Sequence, residues 1–200
     1  MTLNTHLTLR LITVLTGLIT ALCLSSAQAI EEPAYTVQRA WEDPNVEIRA
    51  YAPRIMAVTE MDGSDNAGFR VLAGYIFGGN ETEQEIAMTA PVQQSMSGAD
   101  EMAFMMPAQY QLEDLPNPSD PRVVFREAPA YTAAVIRFSG WVSAEKADAQ
   151  WQTLRRFLIE EGIEVSGEPT LNRYNPPWTL PFMRRNEIIV PISLADLSEE

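Results

Sequence analysis

Alternating apolar and polar positions mark eight candidate strands along the chain, at 35–39, 46–51, 55–61, 85–93, 102–106, 123–127, 132–138 and 188–192. The second is the clearest. Val46, Ile48 and Ala50 interleave with Glu47, Arg49 and Tyr51, as in a half-buried strand, and Asp43-Pro44-Asn45 supplies the turn before it. A helical period appears in two places. At 67–77, Phe69, Leu72, Ala73 and Ile76 share one face, with Ser64, Asp65 and Asn66 as candidate N-caps and Gly78-Gly79-Asn80 as the stop. The opposite face carries Ala67, Arg70, Val71, Gly74 and Phe77, so Arg70 is the one charge on an otherwise apolar helix. Such a helix is either buried on both sides or offers an apolar face to a ligand. At 144–161, Ala144, Ala147, Trp151, Leu154 and Leu158 form one stripe and Glu145, Asp148, Gln152, Arg155 and Arg156 the wet face, between Ser143 and Gly162. This is the pattern of a surface helix covering a sheet.

The elements fall into two similar runs. Ala57-Val58 and Ala134-Val135 each precede a glycine by five residues, at Gly63 and Gly140, and then a helix. Each run reads strand, helix, strand, strand. One helix cannot cover both faces of its sheet, so two such halves are expected to join into an α+β fold. The expected form is a distorted β-barrel of about eight strands with two helices, built from a duplicated half.

The N-terminal stretch changes the inventory. A short polar segment with Arg10, an apolar run over 11–24 and the small-x-small triplet Ala27-Gln28-Ala29 read as a secretory signal peptide, 1–29. An uncleaved anchor and a lipoprotein at Cys23 are the alternatives, the second opposed by bulky Leu22. Cleavage leaves 30–200 as one domain in an exported protein, periplasmic or secreted, with nothing left to insert stably in a membrane. It removes His6 and Cys23, the chain's single His and single Cys. Thirteen basic residues then stand against 27 acidic ones, a net −14. That balance excludes a nucleic-acid partner, because binding phosphates needs a basic surface. Without His or Cys, Ser-His-Asp and Cys-His triads and His/Cys zinc sites are excluded too. No carboxylate pair is singled out by spacing, so no enzymatic activity is expected.

Several segments, taken together and in order, resemble the SOUL heme-binding protein family. They are Glu32-Pro33-Ala34-Tyr35, Val46-Glu47-Ile48-Arg49-Ala50-Tyr51, the run from Gly68 to Asn80, Ile86-Ala87-Met88-Thr89-Ala90-Pro91-Val92, Phe104-Met105-Met106-Pro107 and Arg184-Arg185-Asn186-Glu187-Ile188. The resemblance implies the same distorted barrel. It also implies non-enzymatic binding of heme or a related tetrapyrrole in an apolar groove beside the first helix. Some relatives offer a His to the iron; this chain has none beyond residue 29, so binding without His ligation is expected.

The candidate ligand-binding residues are Arg70, Val71, Gly74, Phe77, Ala67 and Met61. Arg70 either pairs with a heme propionate, for which a planar guanidinium is suited, or salt-bridges a carboxylate of the barrel. Gly74 would admit a flat macrocycle to the backbone, and Val71 and Phe77 would add apolar contact. Met61 and Met88 are candidate axial ligands, against plain core packing. The Pro- and aromatic-rich segment 172–186 reads as a loop pinned by its aromatics or as a lid, with Arg184 and Arg185 as further propionate partners. Two other readings stay open: a ligand-independent structural or protein-interaction module, and a binder of other planar or amphipathic small molecules.

Overall fold

The computed structural model describes residues 30–61, 65–96 and 100–193. The predicted signal peptide, Ser64 and Gly63 lie outside the described residues. Nine strands form one antiparallel sheet: β1 (Tyr35–Trp41), β2 (Val46–Tyr51), β3 (Arg54–Glu60), β4 (Val92–Ser95), β5 (Glu101–Met105), β6 (Val124–Ala128), β7 (Tyr131–Phe138), β8 (Thr170–Arg173) and β9 (Asn186–Pro191). Two helices accompany them, α1 (Asp65–Ile76) and α2 (Ala144–Glu160). The sheet order is β1-β2-β7-β9-β8-β4-β5-β3-β6.

The sheet is a curled half-barrel of nine strands, where a distorted barrel of about eight was expected. β1 and β6 are its two ends, and no ladder joins them. The curl still brings β3 to β7, five places apart in the order, close enough for Arg54 to hydrogen-bond Tyr131. Strand, helix, strand, strand occurs twice, as β3-α1-β4-β5 and β7-α2-β8-β9, and the two runs meet at the β4–β8 ladder. The strand that leads into each run pairs with the other run: β2 with β7, and β6 with β3.

Both helices pack on the convex face. Leu154, Phe157 and Leu158 of α2 close over Val46, Ile48, Ala134, Ile188 and Val190. Leu72, Tyr75 and Ile76 of α1 close over Ala57, Met102 and Phe104. The concave face carries Tyr51, Ala133, Val135 and Ile189 on one side and Met56, Val58, Ala103 and Met105 on the other. Ser143 caps α2, its hydroxyl accepting from the Lys146 amide, and Gly162 ends it at φ 70°. Asp65 and Asn66, offered as caps of α1, lie inside the helix.

One strand expectation fails and one strand is unforeseen. The stretch 85–93 yields only Val92–Ser95, because Pro91 has no amide to donate; Glu85 and Thr89 make isolated bridges instead. β8 is an addition. Its four residues carry one large apolar side chain, Leu171, which leaves no alternation to read.

Candidate functional site

The first helix owes its position to its glycines. Gly68 is buried where a Cβ would lie 2.9 Å from Met61 Cγ, so the N-terminal half of α1 sits directly on β3 and β5. At the other end Gly78 takes φ 96°. The Gly79 amide then donates to the Gly74 carbonyl at 2.8 Å, so close that a Cβ on Gly79 would lie 2.5 Å from that oxygen. Buried Asn80 fixes the exit. Its Nδ2 donates to the Tyr75 and Gln84 carbonyls, and its Oδ1 accepts from the Thr82 hydroxyl and the Gln84 amide. Gly78-Gly79-Asn80 therefore ends the helix and turns the chain back along it.

A groove of about 620 Å³ lies between α1 and the segment from Ser119 to Arg122. Four of the six sequence candidates, Ala67, Arg70, Val71 and Gly74, line it. Arg70 is exposed; its Nε donates to the Asn66 carbonyl at 3.2 Å, and no carboxylate among the described residues pairs with it. The barrel salt bridge considered for Arg70 is thus not made. Gly74 lies on the helix wall of the groove, and a Cβ built there meets nothing within 4 Å. On the facing wall Asp120 and Arg122 form a bidentate pair, at 3.0 and 2.6 Å. The hydrogen bonds from Arg122 hold the Asp120 carboxyl below the usual carboxylate range.

The other two candidates lie elsewhere. Met61 is 4 % exposed and packs in the core beneath Gly68, separated from the groove by the helix. Phe77 is exposed but follows the last turn of α1, where its backbone bridges to Glu85, and it does not line the groove. Met88 does not line the groove either. Tyr75 does, but its hydroxyl donates to the Pro116 carbonyl at 3.0 Å, and burial, with Tyr110 nearby, pushes its pKa up to about 12. It stays a neutral phenol at ordinary pH. The groove thus offers apolar surface and a cation, with no imidazole, thiolate or thioether on its walls. Among the described residues no three His, Cys, Asp or Glu gather as a metal site, and no helix is long and apolar enough to cross a membrane.

Arg184 and Arg185 are not free to serve a ligand. Arg184 donates to the carbonyls of Thr179 and Pro177, and its guanidinium lies 3.6 Å from the centre of the Trp141 ring. It pins the loop, whereas the loop's own Trp178 and Phe182, expected to do so, are exposed. Arg185 belongs to an interior network that the sequence reading missed. Arg49 grips Glu187 with two bonds, at 2.9 and 3.1 Å; Arg185 Nε adds a third at 2.9 Å and the Tyr174 hydroxyl a fourth at 2.8 Å. Arg185 Nη1 continues to Glu32 at 2.7 Å. Glu187 is 0 % and Arg49 1 % exposed. Burial alone would push the Glu187 carboxyl up; the bonds and charges of Arg49, then Arg185, outweigh it and hold the carboxyl below the usual range. With its oxygens saturated, Glu187 is a structural anion.

Comparison with known proteins agrees with this architecture. The SOUL heme-binding protein family matches residues 30–191. Heme-binding protein 2 of Mus musculus is 31% identical over 185 residues, covering 82% of this chain and 87% of its own. Heme-binding protein 2 of Homo sapiens is 32% identical over 181 residues, with the same coverage. Among solved structures, the EcmrR C-terminal domain superposes with a TM-score of 0.54 at 10% identity, over 74% of this chain and 97% of that one. A hydrolase from Listeria innocua superposes with a TM-score of 0.50 at 11% identity, over 83% and 94%. These two share the fold. The sequence match spans nearly all the described residues, and this chain belongs to the SOUL heme-binding protein family.

Proposed function

We propose that the protein is a non-enzymatic, exported carrier of heme or a related tetrapyrrole, held flat against α1. Arg70 pairs with a propionate, and Ala67, Val71 and the bare backbone at Gly74 make the contact surface. The family supplies the ligand class; the groove supplies the fit. Its size lies within the range of small-molecule sites.

The observation that carries the reading is Gly74. Glycine inside a helix costs about 0.5 to 1 kcal/mol relative to alanine. The surrounding fold does not require it, since an alanine methyl there would meet open space. A ligand lying against the helix backbone does require it. Bound heme would bring its iron, but the groove side chains act by contact and charge alone, so the expected affinity is modest. The long-range field of the acidic chain opposes an anionic ligand, so Arg70 works at contact distance. Export rests on the sequence features of residues 1–29.

Titrating heme into the purified protein, followed by its Soret band and by tryptophan quenching, tests the proposal. A saturable one-to-one change is expected, with Arg70→Ala weakening it several-fold and leaving the circular dichroism spectrum unchanged. A linear response, equal to that of an unrelated acidic protein, would refute the carrier reading and favour an interaction module.

A further inference from the structure

The concave side of the half-barrel holds a second groove, separate from the one on α1. It measures about 470 Å³, with an apolar floor that includes Met56 and Val58 of β3, Ala103 of β5 and Ile189 of β9 and with Gln93, Thr170 and charged side chains among its walls. Arg54 and Tyr131 line it as well.

The charges around it are unevenly satisfied. Arg126 is matched by Glu101 in a bidentate pair at 3.0 and 3.1 Å, and Glu168 has a partner within the chain. The interior carboxylate, Glu187, is saturated by Arg49, Arg185 and Tyr174. Arg54 differs. Its Nη2 donates to the Tyr131 hydroxyl at 2.8 Å, and its guanidinium carbon lies 5.3 and 5.1 Å from the ring centres of Tyr51 and Tyr131. Those two rings stack on each other at 5.2 Å. No carboxylate among the described residues pairs with Arg54, and its Nη1 is buried with no acceptor. In a strongly acidic chain, a cation held by neutral partners at the wall of an apolar groove is the feature to explain.

We infer that this concave groove binds an amphipathic carboxylate, its apolar body along Met56, Val58, Ala103 and Ile189 and its head on Arg54. A carboxylate on the partly exposed guanidinium supplies the counter-charge that the Tyr pair cannot give. An amphipathic cation finds no unmatched anion here and meets Arg54 instead. The site goes beyond the tetrapyrrole reading and stands without it, because the two grooves have no lining residue in common.

Isothermal titration with decanoate and with decyltrimethylammonium, both below their micellar concentrations, tests the inference. Decanoate is expected to bind one-to-one and at least tenfold more tightly than the ammonium amphiphile. Arg54→Gln should weaken decanoate at least tenfold, and Ala103→Leu, which fills the groove without touching a charge, should weaken it as well. Arg70→Ala should leave it unchanged, and decanoate should not displace heme. The inference is overturned if decanoate fails to bind, if the cation binds as tightly, if a folded Ala103→Leu protein keeps full affinity, or if heme competes.

Discussion

Replacing Gly74 with alanine is expected to stabilise the fold and weaken tetrapyrrole binding at the same time. The stability gain comes from the unfolded chain, which loses the extra freedom of glycine while the folded helix gains a methyl that strikes nothing. Gly74 sits in the last turn of α1, so the gain falls within about 0.5 to 1 kcal/mol, or a rise in Tm of about 1 to 4 °C for a domain of this size. The same methyl stands between the backbone and a flat ligand. Lifting a ring by 0.5 to 1 Å forfeits about a quarter to a half of each dispersion contact. Spread over the atoms that face the helix, that amounts to about tenfold in Kd, or about 1.4 kcal/mol. Thermal unfolding by circular dichroism reads the first effect and a Soret titration the second. A variant that is more stable and binds heme as the parent does would show that the ring does not lie over Gly74. A variant that is less stable would show that the fold itself needs the glycine, and the reasoning behind the site would fail.

Other outcomes follow from the same structure. Protoporphyrin IX without iron should bind within about threefold of heme, since the groove walls carry no axial ligand; a much weaker metal-free porphyrin would reveal an iron ligand from elsewhere. Gly79→Ala, unlike Gly74→Ala, should destabilise by about 1 to 3 kcal/mol, because its Cβ would press on the Gly74 carbonyl; an unchanged denaturant midpoint would mean that the turn relaxes freely. Glu187→Gln should cost about 3 kcal/mol by removing the buried counter-charge of Arg49 and leaving it with the partly exposed Glu47 at 2.6 Å, measured by chemical denaturation. The folded-state pKa of Glu187 is depressed, so its contribution is fully present above the ordinary glutamate range and lost as pH falls through the folded value. Parent stability should therefore be flat in this respect near neutrality and fall on the acid side, and Glu187→Gln should flatten that fall.

What could be read from the chain, and what could not, divides by distance along it. α2 starts where its cap Ser143 predicts and stops one residue short of the expectation, and β2 spans the expected residues, because the signals for both are local. The helix wall of the α1 groove was legible for the same reason, since Ala67, Arg70, Val71 and Gly74 recur at helical spacing; the facing wall, Ser119 to Arg122, was not. Met61 and Phe77 were assigned to that groove by nearness in sequence, but the buried contact of Gly68 puts Met61 behind the helix, and Phe77, just past the last turn of α1, is not among the residues that line it. The larger miss is inside the curl. Arg49 alternates with apolar residues and reads as the wet side of a half-buried strand. Its buried counter-ion lies 138 residues further on, so only the assembled sheet shows that both faces of β2 are covered. Arg185, read as a spare cation, is committed to the same acid.

The exchange of β2 and β6 between the two runs bears on how the chain acquires its fold. β3 has β5 on one side from its own run but must wait for β6 on the other, and β7 must reach back to β2, whose residue Tyr51 pairs with Tyr131 across most of the intervening chain. Neither run can complete its sheet alone, so assembly is cooperative across the whole molecule and no half is a stable stopping point. Pairings this distant place the protein among slow folders. On the export route proposed above, the interlock that secures the finished molecule cannot form until β6 and β7, ending at Phe138, have followed β2 and β3 across.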